Sequence, residues 1–235
     1  MKILAFDSTA KIASVAVCEG ERLLGEYNID NGLTQSELLL PMAENLLKSL
    51  KLDFSDMELI VTATGPGSFT GVRIGTALAK GIAFAKDIPC VSVSTIEALC
   101  ENITPLCGIL IPCMDARRNQ VYNAIFESDG EIVTRLTLDR AISLEDLANE
   151  LMQFDGMDIY ISGDGYSLAR SALLKAGIEV KKTPAHLISE SAYSCAMVGL
   201  RKYNSGEYLS DTDLAPTYLR LPQAERERIE RINNR

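Results

Sequence analysis

Apolar positions recur along the chain in two rhythms, every second residue or every third to fourth, and the switches between them lay out the elements. Alternating runs at 2–7, about 13–19 and about 22–29 predict three short strands joined by tight turns such as Glu19-Gly20-Glu21. A helix follows, opened by the capping box Thr34-Gln-Ser-Glu37. Its apolar face holds Leu39, Ala43, Leu46, Leu47 and Leu50, and Leu38 and Met42 make that face wider than one core contact needs. Pro41 is expected to kink its first turns. The run 59–63 then reads as a buried strand, 65–71 as a glycine-rich elbow and about 72–85 as a helix. A strand at 90–93 and a short helical segment from Ser94 close this first set.

The same succession starts again near Gly108. Strands are expected at about 108–114, 120–127 and 131–138, then a helix opened by Ser143-Leu-Glu-Asp146, a strand at 158–162, a helix near 167–176 and a strand at 178–180. A helix over 189–203 ends the set, with Asn204-Ser-Gly206 as its stop. The order βββαβαβ thus occurs twice, and each copy begins with an apolar strand ending in an acid, Asp7 or Asp115. This duplication is the α/β architecture of the actin/Hsp70/sugar-kinase (ASKHA) class, two ribonuclease-H-like lobes with a cleft between them. The lobes are expected at 1–103 and 104–205, with 206–235 returning to the first. In that class the first turns face nucleotide phosphates and Mg²⁺, which makes Asp7, Ser8 and Thr9 candidates for nucleotide contact. The alternative is that these acids cap hairpin turns and need no ligand.

The elbow Thr64-Gly-Pro-Gly-Ser-Phe-Thr-Gly71 fits none of three phosphate or nucleophile motifs. A P-loop ends in Gly-Lys-Ser/Thr, and Gly71 is followed by Val72-Arg73. The dinucleotide spacing G-x-G-x-x-G is broken by one extra residue, and a nucleophile elbow would need a glycine two places after Ser68. From the residues alone it is a close-packed strand-to-helix turn, with Ser68 or Thr70 as the helix cap. Beyond it Gly71, Gly75, Ala79 and Ala83 form a low ridge at i, i+4, while Arg73, Thr76 and Lys80 make a narrow polar stripe. Such a helix is either buried in its own lobe or covered by a partner.

With 47% hydrophobic and 23% charged residues the chain reads as globular, and no run reaches the ~20 apolar residues of a membrane span. Residues 1–7 meet an acid too early for a signal peptide, so the expected compartment is the cytoplasm. Cys18, Cys90, Cys100, Cys107, Cys113 and Cys195 contain no C-x-x-C pair and read as reduced thiols, mostly in the core. A net charge of −9 argues against gripping a nucleic-acid backbone unaided. The basic tail at 220–235 reads as a solvated helix supported by pairs such as Glu227 with Arg231, in preference to a docking segment.

Catalytic signals are weak. His186 is the single histidine, so a His-x-x-x-His metal pair is impossible, and beside Pro184 it reads as a surface or packing residue. Ser167, after Gly163-Asp-Gly-Tyr, follows a strand and opens a helix, but only His186 could complete a triad. Gly163-Asp-Gly165 is better read as a strand-to-helix turn.

Taken together, Thr64-Gly-Pro-Gly-Ser-Phe-Thr-Gly-Val-Arg-Ile-Gly75, Ile3-Leu-Ala-Phe-Asp-Ser-Thr9, Ser36-Glu-Leu-Leu-Leu-Pro41, Asp115-Ala-Arg-Arg118 with Val121-Tyr122, and Pro216-Thr-Tyr-Leu-Arg220 resemble the TsaB (YeaZ) family of tRNA threonylcarbamoyladenosine biosynthesis. The resemblance spans nearly the whole chain. It implies a non-catalytic scaffold that needs no cofactor when alone and forms a homodimer in isolation. It also implies pairing with a TsaD-type catalytic subunit, work beside a TsaE-type ATPase, and contact with tRNA only through that complex. In the catalytic relative a Val-Asn-His-x-x-x-His segment supplies two metal-binding histidines. Here the corresponding stretch is Val93-Ser-Thr95-Ile-Glu-Ala-Leu99, with Thr95 and Leu99 at the ligand places. A histidine commonly precedes the Ser-Glu of the first helix, and Gln35 stands there instead. The partner surface is expected at Leu38, Met42, Gly71, Arg73, Gly75 and Ala79. The alternatives are a nucleotide-handling enzyme of the same fold class and, least favoured, a peptidase-like hydrolase.

Overall fold

The computed structural model describes residues 1–220, so the helix expected over the basic tail lies outside the described residues. The first sheet is built from β1 (Lys2–Asp7), β2 (Ala13–Glu19), β3 (Arg22–Ile29), β4 (Leu59–Gly65) and β5 (Cys90–Ser94). Its order is β3-β2-β1-β4-β5, antiparallel through the meander and parallel from β1 to β4 to β5. The parallel steps are crossovers through α1 (Gln35–Leu50) and α2 (Phe69–Phe84), which puts both helices on one face. Period-two alternation then sorts the strand residues. Leu4, Phe6, Val15, Val17 and Ile60 face α1 and α2, while Ile3, Ala5, Ala16, Leu59 and Val61 face the other way.

The second sheet repeats the plan with β6 (Gly108–Asp115), β7 (Gln120–Asn123), β8 (Phe126–Ser128), β9 (Val133–Arg135), β10 (Arg140–Ser143) and β11 (Ile159–Ser162). β7 and β8 pair with β6 in one continuous register, Met114 opposite Tyr122 and Leu110 opposite Phe126, so the expected strand 120–127 is one strand opened at Ala124-Ile125. The gap has a cause. Ile125 donates its N–H to the Thr137 hydroxyl at 2.8 Å and its carbonyl accepts from Leu136, which ends the expected strand 131–138 early, as β9 alone, and leaves β10 as a further strand that was not expected. The strand expected at 178–180 is absent; this stretch meets β11 through a Lys181 N–H bond to the Ile159 carbonyl, too little for a ladder. α4 (Leu144–Leu151) and α5 (Tyr166–Lys175) cover one face through Leu147, Leu151 and Leu173.

The remaining two helices depart from the expected lobe boundaries. α3 (Thr95–Glu101) follows the first sheet in sequence, yet Ile96, Leu99 and Cys100 pack on Leu110, Met114 and Phe126 of the second. α6 (Ala192–Asn204) follows the second sheet, yet Cys195, Ala196 and Val198 pack on Ala5, Val61 and Val93 of the first. The boundaries 1–103 and 104–205 therefore divide the chain but not the cores: each lobe lends its last helix to the other, and α3 and α6 lie against each other between the sheets.

Residues 206–214 lie against the first lobe. Leu209 bridges Cys90, Leu214 is buried with α1 and α2, the Lys80 ammonium donates to the Thr212 and Leu214 carbonyls at 3.1 Å, and Thr217 donates its N–H to the Thr64 carbonyl at 2.7 Å. Five of the cysteines are buried thiols and Cys107 is exposed.

Close seating of α6 gives a prediction. A Cβ on Gly199 would stand 2.5 Å from the Val61 Cγ1, a short branched group that cannot swing aside. Gly199→Ala should destabilise by about 1–3 kcal/mol. Gly81→Ala, where a Cβ meets nothing within 4 Å, should gain up to about 1 kcal/mol. Denaturant melts of the two variants check this; a gain in both would show that α6 is not seated on the sheet in this way.

Candidate functional site

The first strand of each sheet ends in its acid at the cleft between the lobes, and both acids cap their own turns. Asp7 Oδ1 accepts from the Thr9 N–H at 2.9 Å and the Thr9 hydroxyl at 2.6 Å, and Asp115 Oδ1 accepts from the Arg117 N–H at 2.7 Å. Asp7, Ser8 and Thr9 are fully buried. The elbow closes over them: Ser68 donates its N–H to the Thr9 carbonyl at 2.6 Å, and the Ser8 hydroxyl donates to the Gly71 carbonyl at 2.9 Å. Ser68 is the cap of α2, accepting from the Gly71 N–H, so the helix starts at Phe69, three residues before the expected place. These donors are thereby engaged with protein; Asp7 and Ser8 lie sealed beneath the elbow, while Thr9 is among the residues that line the cavity described below.

This packing also corrects the expected partner surface. A Cβ on Gly71 would lie 2.0 Å from the Ser8 carbonyl oxygen and one on Gly75 would lie 2.3 Å from the Ser8 hydroxyl, so the small ridge of α2 receives the β1 turn and not another molecule. Leu38, Met42 and Ala79 are buried in the first lobe's own core. Of the six residues expected to meet a partner, only Arg73 is exposed. The outward side of α2 is Thr70, Arg73, Ala77, Gly81 and Phe84, with Ile74, Leu78 and Ile82 half-buried, and Leu40 stands exposed on neighbouring α1.

Arg73 is itself engaged. Its guanidinium lies 3.7 Å from the Phe69 ring centroid and its Nε donates to the Tyr218 hydroxyl at 2.9 Å, while the Phe69 and Tyr218 rings are 4.7 Å apart. Two residues on, Arg220 donates to the Ala116 carbonyl at 3.3 Å and to Gln120. The segment 217–220 is therefore a strap from the α2 elbow to the β6–β7 hairpin across the mouth of the cleft.

Below the strap lies a cavity of about 870 Å³ whose walls include the elbow, the hairpin, the Gly163-Asp164 turn and Glu190. Gly163, at φ +94°, lets that turn approach the Cys113 carbonyl, and the Gly165 N–H donates to the same oxygen at 3.0 Å, which bears out the strand-to-helix reading. Asp164 Oδ1 accepts the Asp115 N–H at 3.0 Å. Glu190 is 4% exposed, and its Oε1 has no donor among the described residues; Asp7 Oδ2 is likewise without one. Burial raises Asp7 to about 6 against the bonds from Thr9 that lower it, and burial with repulsion from Asp7 and Asp164 raises Glu190 to about 8. Neither Asp164 nor Glu190 was legible as a site residue: each is one acid in a loop, without a spacing that marks it. Ser167 and His186 make no hydrogen bond to each other, and His186 is exposed on a short 3-10 turn.

The comparisons agree with this architecture. The family model for TsaD, tRNA N6-adenosine threonylcarbamoyltransferase, matches residues 34–228. The TsaB protein of Bacillus subtilis, named for tRNA threonylcarbamoyladenosine biosynthesis, is 31% identical over 98% of this chain and 99% of its own length. The chain belongs to the TsaB family. The TsaB protein of Escherichia coli is 23% identical over 94% of this chain and 95% of its own. YeaZ from Pseudomonas aeruginosa superposes with a TM-score of 0.76 over 93% of this chain and 99% of that one; at 22% identity this speaks for a shared TsaB fold.

The buried acids set a pH dependence. Asp7 and Glu190 hold protons in the folded chain up to about 6 and about 8, while the unfolded chain releases them near 3.8 and 4.5. The folded state thus binds more protons across that window, and their contribution to stability falls as pH rises through it. Glu190→Gln should raise the melting temperature at pH 8.5, change it little at pH 5 and flatten the profile between. A profile as steep as the parent's would place the titrating group elsewhere.

Proposed function

We propose that this chain is a non-catalytic subunit of the machinery that places threonylcarbamoyladenosine on tRNA, pairing with a TsaD-type catalytic subunit and carrying no cofactor or metal of its own. The observation that carries this reading is the state of Thr95 and Leu99. Both are fully buried on α3, and Leu99 packs in the second lobe's core with its Cδ1 against Gly163. A leucine that fills a core position offers no donor atom, so the place corresponding to a catalytic metal ligand is occupied by packing.

The partner reading rests on the outward side of α1 and α2. Phe84 is 77% exposed and Leu40 41%, and around them the small residues Ala77 and Gly81 let another helix come close. In isolation the same face pairs with a second copy, and a TsaE-type ATPase joins the complex with the catalytic subunit. No helix among the described residues is long and apolar enough to cross a membrane, which suits work in the cytoplasm. The net charge of −9 leaves most tRNA phosphate contacts to the partner.

Gly81→Arg tests the face. It sets a charge on open helix surface and replaces glycine with a better helix former, so melting should hold or rise while co-elution with the catalytic subunit, and self-association, are lost. Ala79→Arg should unfold the first lobe instead. Retained association of folded Gly81→Arg would move the interface elsewhere. For the scaffold reading, the isolated chain should show no stoichiometric transition metal and no useful ATP turnover, and tRNA should bind it more weakly than micromolar at near-physiological salt. A metal lost on Thr95→Ala, or submicromolar tRNA binding, would overturn it.

A further inference from the structure

The acids of the cleft are unevenly provided for. Asp115 is paired with Arg117 at 3.1 Å, whereas Asp7, Asp164 and Glu190 make no ion pair among the described residues. Glu190 is the informative one: nine-tenths of it and more is buried, it lines the cavity, and its Oε1 is unpartnered. An acceptor left so in a low-dielectric wall is costly unless something donates to it. We propose that the interlobe cleft receives one organic cation, an ammonium or guanidinium group, whose N–H donors Glu190 accepts at that free oxygen.

The surroundings favour such a group over a metal. The described residues hold no set of three or more His, Cys, Asp or Glu arranged around one point, so a divalent ion would lack its ligands. An organic cation needs fewer acceptors and gains from an aromatic face, which Tyr166 supplies along the same walls. A cavity of about 870 Å³ admits a small molecule or a long side chain. The charged groups that act on Glu190 are Asp7 from β1 and Asp164 from the turn before α5; Asp164 in turn feels Asp115 and Arg117 from the hairpin and Lys11. The cation has two possible sources with one chemistry. It is either a free small molecule or one of Arg226, Arg228, Arg231 and Arg235, which follow in the sequence after Arg220, itself a residue of the cavity wall.

The test is an amide-resolved NMR titration of the full chain with L-argininamide and with n-butylamine, at pH 6.5 and 8.5. Saturable shifts at the Asp164 and Glu190 amides are expected, tightening at least about tenfold at the higher pH as Glu190 yields its proton to solvent. Glu190→Gln should lose both the binding and its pH dependence while keeping a cooperative melt. A chain with Arg226, Arg228, Arg231 and Arg235 all changed to Gln separates the sources. Equal binding by this chain and the parent assigns the site to a free ligand; binding by this chain alone assigns it to the tail. Absence of binding in both, or binding to Glu190→Gln like that of the parent, overturns the proposal.

Discussion

Everything about the molecule's shape follows from the crossing of α3 and α6. Each sheet is apolar on both faces and must be covered twice, yet each lobe keeps helices of its own on only one face. The exchange supplies the missing covers and presses the lobes together back to back, which leaves the strand ends free to form a cleft on the other side. Electrostatics reinforces the joint at Glu97 on α3, which meets Arg135 of β9 at 3.1 Å and Lys202 of α6 at 3.0 Å. Burial alone would push the Glu97 carboxyl up; the two cations outweigh it and hold it below the ordinary range.

Local order was well marked in the sequence. Alternation located the first meander almost to the residue, and the capping box formed, with Thr34 donating its N–H at 2.9 Å and its hydroxyl at 2.7 Å to the Glu37 carboxylate. Period and caps are properties of a few consecutive residues, so a linear reading reaches them. The assignment of helices to sheets is not such a property. Nothing in 95–101 says that Leu99 will turn to Leu110 instead of Val93, because both neighbours are apolar and lie in strands. The break in the second meander depends on one threonine hydroxyl reaching Ile125, again across many residues of chain.

The ridge on α2 shows how a correct observation can point the wrong way. Gly71, Gly75 and Ala79 mark a close approach, but small residues on a helix state only that something comes near, not what. The neighbour is the Ser8 turn and the chain's own core, and the outward side is the one that carries Ala77, Gly81 and Phe84. For the cleft, the acids at strand ends were legible from the duplicated pattern, whereas Glu190 acquires its character only from burial beside two other acids, Asp7 and Asp164.

Synthesis on the ribosome meets this fold in an awkward order. The first sheet is complete when β5 has emerged, but one of its faces waits for α6 and its edge for Leu209 and Leu214, which come more than a hundred residues later. The first lobe therefore remains a half-covered sheet through most of translation, its apolar side open to any surface that will take it. A nascent chain truncated before α6 has the strands of a lobe without the means to close it, so the two lobes fold as one unit and the interval before α6 appears is the one in which a chaperone has something to hold.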